Sequence, residues 1–296
     1  MITSPAVIRT TVFLLRVIPV WVLRPCMRAV GTLGYFAMGA RRRIVLDNVA
    51  RLAPNASRRT RRQLARRTFA NLVDASVDLF RLPTASLMEL SELVGIDGRE
   101  HLDAALAWGK GVVAVTPHLG PYELGGAWLA AHGYPVHAVT EDLDPEISAA
   151  LALYRESTGM TLISRSSGLR TMLKVLKQNQ VVLLVADRVV GQGSDGIEVE
   201  FGAGRRAIPT GPAAFSLATG APIIVGHIAR SPARPHRYLI RLEPPIIPHA
   251  TGDVSGDRER LTRLVGERLA AAVQQHPDQW FVFQPEWTPR DASPRA

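Results

Sequence analysis

The chain is poor in cysteine, lysine and aromatic residues, and its first quarter is almost without acids. One cysteine, Cys26, excludes a disulfide framework and a cysteine-based zinc site. Aromatic residues make up 6% of 296 positions, too few to interleave with basic residues along a nucleic-acid-binding face. Three lysines stand against 32 arginines, the mark of a GC-rich coding sequence. That bias accounts for Arg over Lys but not for the missing acids. Residues 1–67 hold 14 Arg and one acid, Asp47, a local charge of +13. The whole-chain charge of +9 therefore joins this basic arm to a body of −4. A localised cation calls for a local partner.

Long uncharged apolar runs are also scarce near the N-terminus. Residues 6–39 are mostly apolar, but Arg16, Arg24 and Arg28 interrupt them. Between Arg9 and Arg28 no uncharged stretch exceeds seven residues, well short of the roughly 20 that a spanning helix needs. A signal peptide fits poorly, since no small-residue cleavage site follows a compact apolar core. An interfacial amphipathic helix, its arginines reaching lipid phosphates, fits residues 1–40 better than a span or a packed globular helix. The arginines at 58, 59, 61, 62, 66 and 67 lie in the first turns of a predicted helix near 57–82, with Ser57 as N-cap. Its apolar set is Leu64, Phe69, Leu72, Val73, Leu79 and Phe80, with Ser76 in register. The basic face is either simply solvated or in contact with anionic headgroups; the adjoining apolar arm favours lipid.

The remaining composition, 47% hydrophobic and 21% charged, suits a chain that buries a sizeable core. From residue 111 short β-branched runs alternate with helical patterns. The runs are 111–116, 136–140, 160–163, 181–186, 222–229 and 238–242, with 280–283 as a candidate last strand. Helices are expected near 121–132, 145–158, 168–178, 210–219 and 257–275. Strands alternating with helices indicate an α/β fold, a central mixed, largely parallel sheet flanked by helices on both faces.

No Gly-x-Ser-x-Gly elbow, Walker A loop or Gly-x-Gly-x-x-Gly after a strand is found, so nucleophile-elbow and nucleotide-driven chemistry lose ground. Clustered metal ligands are absent too, and no metal is expected. What is present is VVAVTPHLGPYELGG, a buried strand running into His118 and then a helix with Glu123 in its first turn. Strand ends that meet helix starts are where α/β sheets bind ligands. Five residues on, Glu123 can turn back toward the imidazole, fix its tautomer and support the imidazolium. First-turn N–H groups can serve an oxyanion. The alternative is a loop histidine capping a neighbour, with Glu123 a helix-dipole partner. Asp187 and Arg188, just after the run VVLLVA, read first as a structural ion pair and second as site residues.

These residues resemble the His-x4-Asp/Glu motif of membrane-associated lysophospholipid-type acyltransferases. Within them the chain is most similar to the bacterial lipid A lauroyl/myristoyl acyltransferase group, which includes the phosphatidylinositol mannoside acyltransferases. Ordered blocks over roughly residues 30–285 carry the likeness: RRRIVLDNVARLAP, GREHLDAALAWGKGVVAVTPHLGPYELGG, YRESTGMTLISRSSGLRTMLKVLKQNQVVLLVADRVV and GIEVEFGAGRRAIPTGPAAFSLATGAPIIVG. Asp187-Arg188, where lipid A enzymes often carry Asp-Gln, and the segment QWFVFQPEW look closer to the mannoside branch.

The resemblance implies a glycerolphosphate-acyltransferase-like fold, with a membrane-associating segment at 1–40 and a single acyltransferase domain at 41–290. It implies His118 as general base and Glu123 as its orienting acid. Glu141, Arg155, Arg165 and Glu198 would contact substrate. Glu141 could equally be a simple loop carboxylate, the arginines solvated or ion-paired, and Glu198 on a face shared with Glu200 and turned to water. No cofactor is implied. The donor would be acyl-CoA or acyl carrier protein. The acceptor would be a glycolipid, a phosphatidylinositol mannoside or alternatively a lipid A precursor. The enzyme would sit peripherally on anionic lipid at the cytoplasmic face of the bacterial plasma membrane, with no nucleic-acid partner.

Overall fold

A computed structural model describes residues 18–82, 85–140, 159–165, 168–189, 196–231 and 235–288. Three helices lead: α1 (Val20–Ala37), α2 (Gly39–Leu52) and α3 (Arg58–Arg81). Then follow α4 (Leu87–Leu93), β1 (Val94–Asp97), α5 (Arg99–Ala107), β2 (Val112–Thr116), α6 (Tyr122–Ala131) and β3 (Val136–Thr140). The chain continues through β4 (Thr161–Ser164), α7 (Leu169–Lys177), β5 (Val181–Val185), β6 (Gly196–Phe201) and β7 (Gly204–Pro209). It closes with α8 (Gly211–Thr219), β8 (Ile223–Arg230), β9 (Tyr238–Leu242) and α9 (Val254–Gln275).

Seven strands form one sheet in the order β1-β9-β8-β2-β5-β3-β4. Every neighbouring pair is parallel except β8 with β9. All five residues of β2 are buried, as its uninterrupted apolar run requires of a strand covered on both sides. Alternation along it divides the core. Val113 and Val115 face α7, α8 and α9 through Leu176, Phe215 and Leu269. Val112 and Ala114 face α5 and α6 through Leu102 and Trp128. The mixed, largely parallel sheet with helices on both faces thus stands as expected.

Two expectations change. WFVF is not a strand: among the described residues it makes one bridge, Trp280 with Leu119. β1 and the β6–β7 hairpin add strands that the apolar runs did not mark. The helix expected at 145–158 lies outside the described residues.

The larger correction concerns the basic arm. Ser57 caps α3, its hydroxyl accepting from Thr60 N at 3.1 Å. The buried face of α3, however, carries Asp74 and Asp78 beside Ala65, Phe69, Ala75 and Val77, while Leu72, Val73 and Ser76 are only half-buried. Those acids draw the arm's arginines inward. Arg24 of α1 reaches Asp78 at 2.5 Å and Asp74 at 3.4 Å, and Arg28 reaches Asp74 at 3.4 Å. From the sheet side Arg230 and Arg237 each meet Asp74 Oδ2 at 2.5 Å. Tyr238 donates its hydroxyl to Asp78 at 2.7 Å. Burial opposes ionisation of Asp74, yet the hydrogen bond from Arg230 and the charges of Arg237 and Arg24 hold it below the usual carboxylate range. Arg24 therefore staples α1 to α3, because two buried carboxylates offer a better partner than water, while Arg28, 44% exposed, reaches the same cluster from the surface. Gly31 completes the contact: a Cβ there would stand 2.5 Å from the Phe69 carbonyl oxygen.

With Arg24 turned in, α1 presents an outer surface in which apolar side chains outnumber the one exposed cation, Arg28. Trp21, Val30, Leu33, Phe36 and Met38, just past its end, are all more than half exposed. No helix among the described residues is long and apolar enough to cross a membrane.

Buried His227 is expected to make the fold sensitive to acid. His227 in β8 lies 5.7 Å from the His276 ring. Desolvation, helped by the charges of His276 and Arg241, pushes its imidazole down to about 4. The unfolded chain therefore binds more protons than the folded one as pH falls from about 6.5 toward 4, and stability drops across that window. The loss expected from His227 is about 3 kcal/mol. His227→Gln should flatten the fall in melting temperature between pH 7 and pH 4.5; an unchanged slope would assign the acid sensitivity elsewhere.

Candidate active site

The site grows from two adjacent strands. β2 and β5 are parallel and in register, Thr116 opposite Val185. Two residues beyond each strand end stand His118 and Asp187. Equal offsets from a matched register bring them face to face at the carboxyl edge of the sheet. His118 Nδ1 lies 2.6 Å from Asp187 Oδ1. The His118 backbone N–H donates to Asp187 Oδ2 at 3.0 Å, and Trp280 Nε1 donates to the same oxygen at 2.7 Å.

Asp187 is fully buried. Burial alone would raise its pKa, but the charge and hydrogen bond of His118, the Trp280 bond and the Arg206 charge drive it far below the usual range. An ionised Asp187 accepts a proton-bearing Nδ1, so Nε2, on the far side of the ring, is the nitrogen placed to take a proton.

The loop carrying His118 is held along its backbone by the C-terminal segment. Gly120 N donates to Gln279 O at 2.8 Å, and Phe281 N donates to His118 O at 2.8 Å. Gly120 has φ +57°, and a Cβ there would collide with the Ile228 carbonyl oxygen, so the turn needs glycine.

Glu123 sits half-buried in the first turn of α6, next in sequence to Tyr122, whose ring meets His118 edge-on at 5.3 Å. Some first-turn amides are already engaged: Tyr122 N with Gly120 O at 2.9 Å, Leu124 N with Pro121 O at 2.8 Å. Arg165 follows β4 at the same sheet edge, its N–H bonded to Thr140 O at 3.0 Å. Glu198 lies on the outward face of the β6–β7 hairpin, ion-paired to Arg205 at 3.3 Å. Glu141 and Arg155 lie outside the described residues. Arg188 is an ion-pair residue as read, 3.6 Å from Glu286.

Asp187 reverses the reading given to it: it belongs to the site first. The signal was present in the matched lengths of VVAVT-Pro-His and VVLLV-Ala-Asp, but it counts only once β2 and β5 are known to be neighbours. No group of three metal-binding side chains occurs among the described residues.

A histidine held to a buried carboxylate at the carboxyl edge of a parallel sheet is an arrangement chemically able to act as a general base. The chain belongs to the bacterial lipid A biosynthesis acyltransferase family, whose model matches residues 6–288. It is 33% identical over 217 residues to the phosphatidylinositol mannoside acyltransferase of Mycobacterium tuberculosis (strain ATCC 25618 / H37Rv), a match covering 71% of this chain and 66% of that protein. The chain thus spans just under two thirds of that relative's length. It is 28% identical to the phosphatidylinositol mannoside acyltransferase of Mycolicibacterium smegmatis, over 81% of this chain and 77% of that protein. A lipid A biosynthesis acyltransferase of Haemophilus influenzae is 20% identical, over 77% of this chain and 69% of that protein. Among solved structures, the 1-acyl-sn-glycerophosphate acyltransferase PlsC of Thermotoga maritima matches with a TM-score of 0.39 at 11% identity, over 82% of this chain and 96% of that one.

Proposed function

We propose that this protein is a membrane-associated O-acyltransferase that moves a fatty acyl chain from acyl-CoA to a hydroxyl of a glycolipid, most closely a phosphatidylinositol mannoside. The observation that carries the reading is the His118–Asp187 pair, with His118 Nδ1 held 2.6 Å from a buried carboxylate. His118 Nε2 takes the proton of the acceptor hydroxyl as its oxygen attacks the thioester carbonyl carbon. The C–O bond forms and the C–S bond breaks, and the same proton returns to the thiolate to leave free thiol. No covalent acyl-enzyme is needed. Glu123 would add a second carboxylate near the reacting hydroxyl, and the family resemblance is what assigns substrate contacts to Glu141, Arg155, Arg165 and Glu198. The greater identity to the mannoside enzymes favours that acceptor over a lipid A precursor.

The test is a matrix of two donors, palmitoyl-CoA and palmitoyl-acyl carrier protein, against two acceptors, phosphatidylinositol mannosides and a lipid A precursor. Labelled product from palmitoyl-CoA and the mannosides is expected. Product only from the carrier protein and the lipid A precursor would replace the reading.

Membrane association follows from the surface. The exposed apolar side chains of α1 would supply insertion, and the exposed Arg58, Arg59, Arg62, Arg66 and Arg67 of α3 would supply attraction to anionic headgroups. Neutralising Arg58, Arg59 and Arg62 to glutamine should weaken binding to anionic liposomes by about a hundredfold at low salt and by less at high salt. Leu33→Glu with Phe36→Glu should weaken it at both. Co-sedimentation reads both effects, and unchanged binding in all variants would remove this surface from the contact.

A further inference from the structure

Three features of the site are not explained by His118 and Asp187 alone. Trp280, 2% exposed, places its only polar atom on Asp187 Oδ2 at 2.7 Å. Arg206, fully buried, donates Nε and Nη2 to the backbone oxygen of Asp187 at 3.3 and 3.1 Å. Its guanidinium lies 4.8 Å from the Trp280 ring and 5.1 Å from the Trp287 ring, and Nη2 reaches Glu286 at 3.2 Å. Arg206 Nη1 has no hydrogen-bond partner among the described residues.

Burying a cation with an unsatisfied donor costs more than filling the same space with an apolar side chain. Desolvation accordingly lowers the Arg206 pKa. That cost has a local return: the pair grips Asp187 at both ends. Trp280 and the His118 amide together occupy Oδ2, which turns Oδ1 toward Nδ1. Arg206 holds the Asp187 main chain, so the backbone from which the carboxylate projects stays in place while the bonds to Oδ2 set the rotamer. Trp280 also joins the backbone of the catalytic loop through its bridge to Leu119.

We propose that Trp280 and Arg206 are positioning residues that fix the Asp187 rotamer and thereby hold His118 in the Nδ1–H tautomer, with Nε2 as the base. The catalytic consequence rests on His118 acting as the general base proposed above. Neither residue touches substrate; each acts through Asp187.

Long-range proton–nitrogen spectra of the full chain, labelled with ¹⁵N and with the His118 signals assigned by their loss in His118→Ala, read the tautomer directly. The wild-type ring is expected as Nδ1–H when neutral. Trp280→Phe keeps most of the ring volume and removes the donor. Arg206→Lys keeps the charge and loses the two-point hold, and it carries the test should Trp280→Phe fail to fold. In either variant the expected result is a mixture of tautomers, with kcat about tenfold lower and KM within twofold of wild type. A wild-type ring in the Nε2–H form, or an unmixed Nδ1–H ring in both variants, overturns the proposal. The spectra are taken without substrate, so a tautomer change beside an active His118→Ala enzyme would refute the acyl-transfer mechanism and leave the positioning intact.

Discussion

His118→Ala is expected to lower kcat for acyl transfer by about a thousandfold or more, with the fold intact. The ring is half-buried at the end of β2, and its removal leaves the strand register and the loop's backbone bonds to Gln279 and Phe281 in place. Circular dichroism and melting temperature should therefore stay close to wild type. Asp187→Asn is expected to cost nearly as much by another route. An asparagine side chain keeps the shape of Asp187 but can present an N–H to Nδ1, which favours the wrong tautomer, and it removes the charge that supports the imidazolium. Asp187 is held far below the ordinary carboxylate range, so it remains ionised wherever the enzyme works. The loss should then be nearly independent of pH, whereas added imidazole should restore part of the activity of His118→Ala and none of that of Asp187→Asn. Glu123→Gln separates the second carboxylate from the first: a fall as deep as that of Asp187→Asn would give Glu123 an equal share in supporting the ring. An Asp187→Asn enzyme within tenfold of wild type would remove the pair from the mechanism.

The α/β architecture was legible because its strands are runs such as VVAVT and VVLLV, too apolar and β-branched for anything but a sheet covered on both faces. β1, with the sequence Val-Gly-Ile-Asp, is four residues long and carries no such pattern; pairing with β9 makes it a strand. His118 was legible from a strand end meeting a helix start, a local feature. Its partner at Nδ1 was not, because Glu123 is near in sequence while Asp187 is near only through the order of strands. The inward pairing of Arg24 was hidden for the same reason. Arg24 looks like a lipid-facing cation when α1 is read alone, and only the acids of α3, some 50 residues away, turn it inward.

Those acids make the second large prediction. Asp74→Ala should destabilise the protein by about 3–5 kcal/mol, because Arg24, Arg28, Arg230 and Arg237 would share a buried space with one counter-charge in place of two. The same sign appears on acidification. A carboxylate whose folded pKa is depressed contributes stability that is present above its unfolded value and lost as pH falls through the folded one, so the Asp74 contribution should fade below about pH 4. The damage should be uneven. β8 and β9 keep their ladder without Asp74, whereas α1 is held mainly by Leu23, Tyr35, the Gly31 contact and the two arginine bonds. Amide exchange in α1 should therefore accelerate before that in the sheet. Adding Arg24→Met and Arg237→Met to Asp74→Ala should recover much of the loss, since apolar side chains of similar volume need no counter-charge. Uniform acceleration across the fold would mean that the cluster supports the whole domain, and a loss under about 1 kcal/mol would mean that solvent already screens the four arginines.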